Sequence, residues 1–141
     1  MKATELRIGN YVQDPNGNVC KVVTIDNDDS HKVVRAWRID KPHLGATDIT
    51  PIPLSEESLK GFGFRKRLIN NKFWEYYRDC TPPNYKRGHG YVLRYWDWNK
   101  QMDFGPVMSG NIHHFPCEYI HQLQNLYFAL TGKELIPKQK P

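Results

Sequence analysis

Apolar positions near the end of the chain repeat at helical spacing. Between Phe115 and Leu135, residues Ile120, Leu123, Leu126, Tyr127 and Leu130 fall on one face, while His121, Gln124, Asn125 and Phe128 point the other way. The pattern predicts an amphipathic helix over 116–131, with Pro116 at its first position, Glu118 in its first turn and Gly132 as its left-handed cap. Upstream the period changes to two. Strands are expected at Tyr11 to Gln13 and Val19 to Ile25 around a turn of Asp14, Pro15, Asn16 and Gly17, then at His31 to Ile39 and Asp48 to Ile52. Four short strands ending near residue 53 read as an SH3-like antiparallel β-unit. Ser55, followed by Glu56 and Glu57, can cap a short helix over 54–63.

Beyond that helix comes a basic edge of Arg65, Lys66 and Arg67, then strands at Lys72 to Arg78, Tyr91 to Trp98 and Met102 to Val107. These predict an antiparallel, aromatic-rich sheet over 64–115. The expected fold is therefore α+β, one domain over 1–141, with the C-terminal helix covering the aromatic sheet and a frayed tail at 137–141. Alternation sorts the two central strands into faces. Phe73, Glu75, Tyr77, Tyr91, Leu93, Tyr95 and Asp97 form one; Trp74, Tyr76, Arg78, Val92, Arg94, Trp96 and Trp98 form the other. The second carries both arginines and is assigned to solvent.

Composition fits this picture: 141 residues, 39% hydrophobic and 25% charged, are enough for one domain with a true core. No run approaches the roughly 18 apolar residues of a membrane span, and MKATELRIGN has no apolar signal core, so the expectation is a cytoplasmic protein without membrane contact. Cys20, Cys80 and Cys117 are odd in number and widely spaced, which argues against a disulfide framework or zinc ribbon. The net charge of +5 is unevenly placed. From Lys60 to Lys100 there are ten Lys or Arg against three acids, with eleven of the eighteen aromatics. Such a stretch is either the footprint of a polyanion or a solvated sheet face rich in β-forming rings.

The opening ELRIGN, the middle ITPIPLSEESLKGFGF and the closing HQLQNLYFALTGKEL resemble a family of small uncharacterised proteins from gut Bacteroidetes and their prophages and mobile elements. The resemblance implies a phage or mobile-element origin and a bacterial cytoplasmic setting. It brings no activity, ligand or catalytic residue with it.

Candidate chemistry follows from residue types. Single-stranded nucleic acid needs cations that track phosphates and flat rings on which bases stack. Arg65, Lys66, Arg67, Trp74, Tyr76, Arg78, Lys86, Arg87, Arg94 and Trp96 form the candidate set, without any signature of a known nucleic-acid module. Cys117 and His121 are a weak metal candidate, set four apart on the expected helix but lacking a signature carboxylate. No nucleophile elbow, phosphate loop or dinucleotide-binding turn is present, so neither an enzyme nor a cofactor is expected. The alternative is a protein-interaction module, a host or phage adaptor or inhibitor, using His121, Gln124 and Phe128 on the polar side of the terminal helix.

Overall fold

The computed structural model describes residues 5–27, 32–81, 91–106 and 113–138. The fold is α+β, with two antiparallel sheets and a C-terminal helix. The chain forms two compact units, Met1–Leu54 with Tyr119–Leu135, and Ser55–Glu118 with Ile136–Lys140. Among the described residues no helix is long and apolar enough to cross a membrane.

In the first unit, β1 (Tyr11–Gln13), β2 (Val19–Asn27), β3 (Lys32–Arg38) and β4 (Gly45–Ala46) form an antiparallel meander in chain order. The β1–β2 turn is built by Asp14. Its Oδ1 accepts from the Asn16 and Asn18 backbone N–H groups, both at 2.9 Å, while Gly17 takes φ +79°. Hydrogen bonds from the Asn18 side chain, ahead of those from the backbone, hold the Asp14 carboxyl below its ordinary pKa. Alternation sends Val12, Cys20, Val22, Val34 and Ala36 into a core with Leu6, against which Ile25, Ala46 and Ile49 pack. The fourth strand differs from the expectation at 48–52. There the chain makes an isolated bridge, Thr50 with Gln13, and the strand proper is two residues at Gly45–Ala46.

The terminal helix of this unit (Ile120–Thr131) begins four residues later than the apolar pattern predicts, because Pro116 ends a strand instead of opening the helix. Gly132 caps it at φ 68°, its N–H reaching the Phe128 carbonyl at 2.7 Å. The polar side is where the sequence reading needs correction. Gln124 and His121 are buried, and Gln124 Oε1 accepts from the Tyr11 backbone N–H at 2.8 Å. Asn10 Nδ2 donates to Asn125 Oδ1 at 3.0 Å, and Asn125 Nδ2 to the Glu5 carbonyl at 2.7 Å. The helix assigned by pattern to the aromatic sheet thus has its hydrogen-bond partners beside β1. Amides that satisfy a neighbouring backbone read as a solvent face in any hydropathy pattern.

In the second unit a short helix, α1 (Glu56–Gly61), precedes five strands: β5 (Arg65–Ile69), β6 (Phe73–Asp79), β7 (Tyr91–Trp96), β8 (Gln101–Pro106) and β9 (His113–Pro116). They form a second antiparallel meander in chain order. Ser55 caps α1 as expected, its Oγ accepting from the Ser58 N–H at 3.1 Å. Asn70 and Asn71 turn the β5–β6 hairpin with φ of 50° and 53°, a left-handed pair that asparagine tolerates. Strand β9 was not marked by the pattern; its four residues, HHFP, carry no clear alternation.

Candidate functional site

Register decides which side chains share a face of the second sheet. Tyr76 pairs with Tyr95 and Tyr77 with Arg94 across β6 and β7. Trp74, Tyr76 and Arg78 therefore lie with Leu93 and Tyr95, whereas Phe73, Glu75 and Tyr77 lie with Val92, Arg94 and Trp96. The face inferred from sequence is a mixture of these two. Its arginines, Arg78 and Arg94, stand at strand positions on opposite sides. Alternation gives the parity of each strand but not the offset between strands; a slip of one residue exchanges every partner.

The first of these faces is core. Tyr76, Leu93, Tyr95 and Met102 are buried, Tyr76 and Tyr95 meet at 6.2 Å between ring centroids, and Tyr91 stacks on Phe104 at 5.3 Å. Lys66 belongs to this side too. Its Nζ lies 2.6 Å from Glu56 and 4.2 Å from the Trp74 ring centroid. Glu56 also accepts from Lys60 and from the Tyr76 hydroxyl at 2.9 Å; the lysines lead in drawing its pKa down to about 2.

The second face carries the unusual chemistry. Glu75 and Asp103 are 1% and 0% exposed, in the middle of a sheet. Arg94 stands between them, Nε 3.6 Å from Glu75 and Nη1 3.2 Å from Asp103. Arg67 caps Glu75 from outside and lies 4.8 Å from the Tyr77 ring centroid, while the Trp96 indole N–H donates to Asp103 at 2.7 Å. Buried carboxylates are tolerated only when paired in this way. The two acids are consequently neutralised within the sheet.

At the hairpin end of this face two rings are open to solvent. Phe73, 43% exposed, and Trp98, 64% exposed, approach to 5.7 Å between centroids with planes tilted by 40°. At the other end, where β5 starts and β6 finishes, lies a cavity of about 440 Å³ lined by Gly63, Arg65, Tyr77, Arg78, Asp79, Val92 and Lys138. Six strand steps separate Phe73 from Asp79, roughly 20 Å at about 3.3 Å per residue.

Of the ten residues singled out for nucleic acid, Arg65, Arg67, Arg94 and Trp96 share this face, and Arg78 reaches its cavity end. Lys66, Trp74 and Tyr76 lie on the other side, with Tyr76 buried; Lys86 and Arg87 fall outside the described residues. Much of the basic surplus is spent internally, since Lys60, Lys66, Arg67, Arg94 and Lys100 all sit in ion pairs. Pattern reading passed over Phe73 and Trp98 as a pair, which only the register reveals, and Lys138, which it placed in a frayed tail.

The other candidates separate. Cys117 follows β9 and precedes the terminal helix, so the four-residue spacing to His121 does not put the two on one helical face. Burial pushes the Cys117 thiol up to about 12, and among the described residues no group of three or more His, Cys, Asp or Glu is placed to hold a metal ion. Within the interaction trio, His121 and Gln124 are buried and Phe128 is covered on one side by Arg7, 3.8 Å from its ring centroid. The chain matches no protein-family model, no curated protein and no solved structure.

Proposed function

We propose that this is a non-catalytic binding protein whose ligand is single-stranded nucleic acid, held along the second face of the five-stranded sheet. The supporting observation is that one face carries an open aromatic pair, Phe73 and Trp98, at one end and a cavity ringed by Arg65, Arg78 and Lys138 at the other. Stacking on rings gives sequence-tolerant affinity, about 1–3 kcal/mol per base, and cations along the track take the phosphates. Charge in the middle of the face is cancelled by the buried carboxylates, so electrostatic attraction is concentrated at the cavity end. Binding would therefore be moderate in salt dependence and strongly dependent on the rings. Titration of a fluorescent deoxythymidine decamer across salt concentrations tests this: log affinity should fall with log salt at a slope near −2, about −0.7 for each of three phosphates. Absence of binding at low salt removes the reading.

A further inference from the structure

The cavity at the end of β6 has features that general phosphate tracking does not require. Arg65, Arg78 and Lys138 supply three positive charges and Asp79 one negative charge. Asp79 is held ionised: its Oδ1 accepts from the Thr81 backbone N–H at 2.8 Å and from the Thr81 hydroxyl at 2.5 Å, bonds that lead the lowering of its pKa. The lining thus carries two net positive charges, which complements a phosphate monoester, with its charge of about −1.5 to −2 at pH 7, better than the single charge of a diester.

The cradle is built by backbone as well as charge. Gly63 has φ +81°, and a Cβ there would stand 3.2 Å from Arg78 Nη1 and 3.3 Å from Lys138 Cε. A side chain there would press on both cations, which would have to shift by a few tenths of an ångström, and would hold a backbone conformation that glycine adopts without strain. Arg78 Nη1 donates to the Phe62 carbonyl, and the Lys138 N–H donates to the Gly61 carbonyl at 2.9 Å, so both are positioned by the end of α1. Val92 and the Tyr77 ring provide apolar wall. At about 440 Å³ the cavity has far more room than a bare phosphate needs and falls in the range of sites for small organic ligands.

We infer that this cavity binds the terminal phosphate monoester of a nucleotide, presented by an oligonucleotide end or by a free mononucleotide. The oligonucleotide case rests on the reading above; the mononucleotide case does not. The test uses the full chain and three probes: a deoxythymidine decamer with a 5′-phosphate, the same decamer with a 5′-hydroxyl, and thymidine monophosphate. The phosphorylated decamer should bind about tenfold more tightly, as expected for one set of charge-assisted hydrogen bonds. Lys138→Gln, at an exposed position, should abolish that preference, so that the two decamers bind the variant alike. Thymidine monophosphate should compete for the preference alone. If both decamers bind equally, or if K138Q leaves the preference intact, the cavity assignment is wrong although nucleic-acid binding stands. If neither decamer binds but the monophosphate does, in a K138Q-sensitive way, the cavity assignment holds for a free nucleotide and the nucleic-acid reading falls.

Discussion

The two sheets are built alike and spend their buried polar groups differently. Each is an antiparallel meander in chain order, and each buries polar side chains that a hydropathy pattern would place outside. In the first unit the most deeply buried are Asn10, Gln124 and His121, the two amides tied to backbone and to each other's neighbours, while its one buried carboxylate, Asp14, is held by the amide groups of its own turn without a cation. In the second they are carboxylates, Glu75 and Asp103, compensated by guanidinium groups. Neutral amides cost little once satisfied and serve to orient a helix. Buried ions are poor stabilisers relative to apolar packing, but removing one partner of such a pair is costly because it leaves an uncompensated buried charge.

The strongest way to break the comparison is Arg94→Ala. It strips Asp103 of its ionic partner and weakens compensation of Glu75, and should cost about 3–5 kcal/mol in chemical denaturation. Arg67→Ala, at a half-exposed partner of Glu75, should cost about 1 kcal/mol or less, because Arg94 remains. Equal losses from the two would mean that burial of the pair does not matter.

In the first unit the corresponding change is Gln124→Ala. It removes the Gln124 acceptor of the Tyr11 N–H and should lower stability by about 1–3 kcal/mol, read from the denaturation midpoint. Trp98→Ala should leave stability nearly unchanged, since the ring is largely in solvent, yet weaken decamer binding by about 1–3 kcal/mol if a base stacks there.

The smallest expected effect concerns His121, whose two ring nitrogens have no hydrogen-bond partner among the described residues and whose pKa burial lowers, against a smaller opposing influence of Glu5. Folded, the imidazole stays neutral; unfolded, it takes up a proton below its ordinary value of about 6.5. Stability contributed by the neutral form is thus complete above that pH and declines as pH falls through it. Denaturation midpoints measured from pH 7.5 to 5.5 should show this slope, and a His121→Phe variant should flatten it.

These contrasts also show which parts of the molecule were legible from residues alone. The hairpin at Asp14 to Gly17, the Ser55 cap and the Gly132 cap are local chemistry, and each stands where pattern places it. Which faces of β6 and β7 coincide is not local. It depends on the offset between distant strands, so Arg78 and Arg94 were grouped although the sheet puts them apart. The same limit explains Gln124, polar by type and buried by partnership with Tyr11, and Lys138, brought to the cavity by a bond to the Gly61 carbonyl. An acid in the middle of an apolar strand, such as Glu75 or Asp103, is the feature of the residues alone that points to a buried ion pair.

The most direct test is a residue-resolved NMR titration with the deoxythymidine decamer, following the tryptophan indole and arginine side-chain N–H signals. Trp98 and Arg65 in the second unit should shift progressively with ligand, while Trp37, half exposed on β3 of the first unit, should not. Shifts confined to Trp37, or spread evenly over both sheets, would contradict the assignment of binding to the charged face.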